Sequence, residues 1–127
     1  MDYISLFACR DDLEVYLTEL KSLSLKILDQ MAKALKMDPN DIKELFGNGR
    51  QTLRMNYYPP CSKPEQVLGF KPHADSSALT ILIQINEMDG LQIKKDGKWV
   101  AVKPLPDAFV VNIGDAFEVT LVIFYSL

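Results

Sequence analysis

The chain has 127 residues, one domain's worth and enough to bury a sizeable core, with 48% hydrophobic and 24% charged residues, an ordinary balance for a globular chain. A net charge of −3 and a pI near 5.1 give no electrostatic footing for nucleic acid or an anionic membrane surface. No apolar run reaches the length of a membrane span, no signal peptide is read, and two cysteines (Cys9 and Cys61) make no disulfide framework, so a reduced, cytoplasmic setting is the expectation.

From Asp11 to Leu35 the spacing predicts a long amphipathic helix. Leu13, Leu17, Leu20, Leu23 or Ser24, Ile27, Leu28, Met31 and Leu35 recur at three- and four-residue intervals. Asp11 and Asp12 suit its first turn, and Lys33 and Lys36 its last. Asp38-Pro39 predicts a second, short helix, with aspartate as N-cap and proline at N1, ending at Gly47-Asn48-Gly49.

Thr52 to Tyr58 reads as a strand stopped by Pro59-Pro60, because proline cannot donate to a ladder. Arg54, Asn56 and Tyr58 would share one face of it. A proline-bearing loop, Cys61 to Pro72, then delivers His73, the sole histidine, with Asp75 two residues on. If the next strand begins that early, the two side chains point the same way and can share one metal ion. Imidazole plus carboxylate is two-thirds of the 2-His-1-carboxylate triad that holds non-haem Fe(II). Ser76 and Ser77 are either supports for that pair or residues of a solvated turn.

Ala78 to Gln84 reads as a strand with both faces largely buried. Leu91 to Ile93 and Lys98 to Val102 flank Asp96-Gly97, a hairpin signal. Ala108 to Ile113 reads as another buried strand, followed by a Gly114-Asp115 turn. The uncharged, β-branched and aromatic tail Thr120 to Tyr125 is expected either to fill a strand position or to form an aggregation-prone edge.

Taken together, N-Y-Y-P-P-C (56–61), P-E-Q-V-L-G (64–69), P-H-A-D-S-S-A-L-T-I-L-I-Q (72–84), G-L-Q-I-K-K-D-G-K-W-V (90–100) and V-K-P-L-P-D-A-F-V-V-N-I-G-D (102–115) resemble the plant Fe(II)- and 2-oxoglutarate-dependent oxygenases. The likeness is to the senescence-related, flavonoid- and alkaloid-modifying branch, with an isopenicillin-N-synthase-like fold, and runs roughly from Asp11 to Val119. It implies an α+β chain with a partial double-stranded β-helix, or jelly-roll, behind a long support helix and a short helix. The expected organisation is a divergent leader over 1–10, a helical support segment over 11–50, a partial oxygenase domain over 51–119 and a divergent tail over 120–127.

The resemblance implies Fe(II) on His73 and Asp75, 2-oxoglutarate hydrogen-bonded by Asn56 and Tyr58, and Arg54 near a small-molecule substrate. It also leaves room for ascorbate. The parent reaction oxidises a plant metabolite while 2-oxoglutarate is decarboxylated to succinate. In the family a second histidine follows the G-D turn, beyond an Asn-Gly-x-Tyr segment, and an Arg-x-Ser then grips the far carboxylate of 2-oxoglutarate. Here Gly114-Asp115 is followed by A-F-E-V-T-L-V-I-F-Y-S-L, which holds neither. The chain is therefore expected to be cut at both ends and inactive alone. The alternative is a non-enzymatic module that self-associates or pairs with a full-length relative through exposed strand edges, and a completing histidine supplied by a partner is a third.

Overall fold

A computed structural model describes residues 9–125. The boundary between two compact units falls between His73 and Ala74. The expected leader over 1–10 lies, up to residue 8, outside the described residues, as do the last two residues of the expected tail.

The first unit holds two packed helices, α1 (Arg10–Ala34) and α2 (Pro39–Phe46). The apolar periodicity of α1 buries Leu28 and Ala32, and α2 contributes the buried Ile42. Asp11 and Asp12 lie in the first turn of α1 and Lys33 in its last, where they complement the helix dipole. Lys36, expected in that last turn, lies beyond it instead. It takes a left-handed φ of 57° and ends the helix. Its N–H donates to Lys33 O (3.1 Å), and Met37 N–H donates to Ala32 O (3.0 Å), the paired bonds of a Schellman stop. At the start of α2 the Asp38 side chain accepts from Asn40 N–H (2.8 Å), with proline at the head of the helix, as the sequence predicts.

The chain after α2 departs from expectation. Residues 52–58 form no strand. Alternation and β-propensity license a strand only where another strand accepts and donates, and no described strand pairs with this segment. It is tied back to α1 by Gln51, whose side-chain N–H donates to Leu17 O (2.9 Å). A single 3-10 turn, Pro64–Gln66, punctuates the loop that leads to His73.

The second unit has strands β1 (Leu79–Ile83), β2 (Gln92–Lys95), β3 (Lys98–Ala101) and β4 (Phe109–Ile113), then a helix, α3 (Asp115–Tyr125). The mixed, α+β character matches the expectation. β1 pairs antiparallel with β4, from Leu79 opposite Ile113 to Ile83 opposite Phe109. β2 and β3 form the predicted hairpin, with Gln92 opposite Ala101. Its turn residues Asp96 and Gly97 both take positive φ, 51° and 77°, the twist that a two-residue hairpin loop needs.

Two expectations fail in this unit. β1 and β4 are not fully buried: β1 is half-buried up to Leu82, and β4 alternates between exposed and half-buried residues. A sheet of two strands has too little on either side to cover both faces. The tail is not a strand either. Asp115–Tyr125 is helical, with Asp115 and Glu118 in the first turn and Phe117 fully buried. A helix closes its own backbone hydrogen bonds, whereas a strand here would need a partner.

Candidate functional site

His73 and Asp75 sit on irregular backbone, because β1 begins only at Leu79. The rule that places residues i and i+2 on one face of a strand therefore does not apply to them. The two residues also belong to different compact units.

In the first unit the His73 ring is exposed and oriented by two contacts. Its Nδ1 lies 2.8 Å from Lys71 O. A carbonyl only accepts, so Nδ1 carries the proton in that bond and Nε2 of the neutral ring carries the lone pair a metal would need. The ring also meets Phe70 edge-on, with centroids 4.6 Å apart and planes at 89°. The Arg54 guanidinium lies 5.8 Å from the centroid of the same Phe70 ring. Tyr58 packs against Gly69: a β-carbon there would meet the phenol ring at 3.3 Å. The loop before His73 thus folds over the segment that carries Arg54 and Tyr58. Asn56, on the same segment, is exposed.

In the second unit Asp75 is half-buried, and its backbone oxygen accepts from Asp115 N–H (2.7 Å). Gly114 is buried directly beneath this loop. A β-carbon on it would overlap the Ser77 carbonyl oxygen and lie 2.7 Å from that of Asp75. The Ser77 hydroxyl lies 3.2 Å from that of Thr80, which ties the loop to the start of β1. A cleft of about 130 Å³ lies beside β1 and β4, lined in part by Leu82, Gln84, Leu91, Val102 and Phe109. That is below the ~300 Å³ at which small-molecule sites begin.

Sequence reasoning missed Phe70 in the first unit and Gly114 in the second. Gly114 lies inside the quoted motif that ends N-I-G-D and Phe70 between two quoted motifs, at 64–69 and 72–84, but their contacts appear only on folding.

The sequence profile of the 2OG-Fe(II) oxygenase superfamily matches residues 49–125. The chain belongs to the 2OG-Fe(II) oxygenase superfamily. Among curated proteins it is similar to oxoglutarate-dependent flavonoid 7-O-demethylase 1 of Ocimum basilicum, at 56% identity over 110 residues, 87% of this chain and 30% of that protein. Protein SRG1 of Arabidopsis thaliana is 54% identical over 112 residues, 87% of this chain and 31% of that protein. Codeine O-demethylase of Papaver somniferum is 50% identical over 111 residues, with 87% and 31% covered. This oxygenase chain therefore spans about 30% of the length of the relatives it matches.

Membership in the oxygenase superfamily implies Fe(II) and 2-oxoglutarate. The donor chemistry of these residues meets only part of that requirement. One imidazole and one carboxylate are the right types, but a ferrous triad needs a second imidazole and the sequence contains one histidine. Among the described residues no three His, Cys, Asp or Glu side chains gather in a way that could hold a metal ion. These 127 residues do not by themselves fit a resident iron ion. Among the described residues no helix is long and apolar enough to cross a membrane.

Proposed function

We propose that this chain is a segment of a plant-type oxygenase that acts on a small metabolite, and that these 127 residues alone do not turn over. In the complete site His73 and Asp75 supply two of three protein ligands, Asn56 and Tyr58 bind 2-oxoglutarate, and Arg54 lies near substrate. The β1–β4 pair and the β2–β3 hairpin are then part of a larger jelly-roll. The single observation that carries the inactive reading is the histidine count: one imidazole is present where the triad needs two. Loss of outer partners alone costs about 10–100-fold in metal affinity, and loss of a ligand costs more. The names of two relatives, flavonoid 7-O-demethylase and codeine O-demethylase, support a small aromatic plant metabolite as substrate of the whole protein.

The test is a titration of the purified chain with Co(II), with and without 2-oxoglutarate, alongside an assay for succinate. The expected result is no succinate above background and no tight binding. Substrate-coupled succinate formation would overturn the inactive reading. Micromolar binding abolished by His73→Ala would mean that a third donor exists within the chain.

A second reading, a module that pairs with a full-length relative or with itself, is favoured by the open strand edges and by exposed apolar residues. Among the described residues each strand of the two sheets has one unpaired edge, and Ile83, Ile113 and Val122 are about half exposed or more.

A further inference from the structure

The loop that carries Asp75 has no ladder to hold it, since β1 starts four residues later, at Leu79. Three features of the turn before α3 take that part. Asp115 N–H is one of the donors a helix start leaves without an internal partner, and it reaches Asp75 O at 2.7 Å. Gly114 N–H donates to Ala78 O at 3.0 Å. Gly114 itself is buried, and only the absence of a side chain lets the carbonyls of Asp75 and Ser77 approach so closely. The carbonyl of Gly114 meanwhile accepts from Phe117 and Glu118 N–H, at 3.1 and 3.2 Å, which starts α3.

We infer that Gly114 and the Asp115 amide are the positioning elements for Asp75: the first turn of α3 sets the orientation of that carboxylate through the backbone of the 75–78 loop. The functional weight of this inference rests on the proposed role of Asp75 as a ligand; the positioning itself does not. One consequence is that changes in α3 reach the Asp75 carboxylate through the Asp75 backbone, to which Asp115 N–H is bonded. Fraying of the first turn releases the loop, and a stable α3 holds it.

The test uses nuclear magnetic resonance on the full chain and three variants. Asp115→Pro removes the N–H while keeping the helix, because proline is well tolerated at the first helical position. Asp115→Ala keeps the N–H and removes only the carboxylate. Gly114→Ala introduces the β-carbon. The readouts are the carboxylate-carbon resonance of Asp75 and the exchange rate of the backbone amide at position 114, each relative to the intrinsic rate of its own sequence. Asp115→Pro and Gly114→Ala are expected to shift the first and to speed the second roughly two- to tenfold, the span of one net hydrogen bond. Asp115→Ala is expected to change neither. If Asp115→Pro matches Asp115→Ala at both readouts, the inference is overturned. If Gly114→Ala fails to fold, the Asp115 pair decides alone. Broadening of the Asp75 resonances by Mn(II) in the unmodified chain addresses the ligand role separately. Its absence would count against metal contact at Asp75 within this chain and leave the positioning of Asp75 to be decided by the variants.

Discussion

Lys36 holds a left-handed backbone conformation, φ 57°, that a residue with a β-carbon adopts at a cost of about 1 kcal/mol or more. The two hydrogen bonds that close α1 depend on that conformation. Lys36→Gly removes the strain without removing either bond, since both run between backbone atoms. It is expected to stabilise the first unit by about 1 kcal/mol, read as a rise in the midpoint of urea unfolding followed by helical circular dichroism. A fall in that midpoint would mean that the lysine side chain contributes more than the backbone strain removes. Nothing in composition marks Lys36 as special, and a lysine near a helix end reads naturally as a dipole partner. Only the observed dihedral separates the two roles. The same holds at the candidate site: His73 and Asp75 stand out as a motif, whereas Phe70 and Gly114 gain their meaning from contacts that local spacing does not encode.

At the scale of elements, legibility follows how local each signal is. α1, α2, β1, the β2–β3 hairpin and β4 are readable because apolar periodicity, an N-cap with proline, and Asp-Gly between strands all act within a few residues. The two failures, residues 52–58 and the tail, are apolar, β-prone segments whose state depends on whether a partner strand is at hand. For the tail the balance goes to α3, with Phe117 as its buried anchor. Carbon chemical shifts over residues 115–125 are therefore expected to be helical. Thr120→Pro is expected to cost about 3 kcal/mol or more, because proline inside a helix removes a hydrogen bond and clashes with the preceding turn. Strand-like shifts in the unmodified chain would contradict the helix.

At the scale of the molecule, little apolar surface among the described residues is withdrawn from water. The buried apolar residues among those described are Leu28, Ala32, Ile42 and Phe117, while Tyr57, Met55 and Ile85 are 84%, 78% and 91% exposed. Stability of a domain is a small difference between large terms, and a core this thin contributes little to the favourable side. Exposed apolar side chains and open strand edges favour association. Sedimentation is accordingly expected to show the average mass rising with concentration through the micromolar range. A monodisperse monomer that also ignores a full-length relative would count against the pairing role.

The division of the chain between His73 and Ala74 has a genetic corollary. A crossover between codons 73 and 74 would exchange the segment of one compact unit between related genes and leave that of the other intact. The same crossover would draw the histidine of the pair from one parent and the aspartate from the other. Recombinants made at this junction with any of the demethylase relatives would therefore carry one compact unit from each parent, and the pair would survive only where each parent encodes its half. That makes the junction a natural place to splice either unit of this chain into a full-length relative and to look for retained turnover.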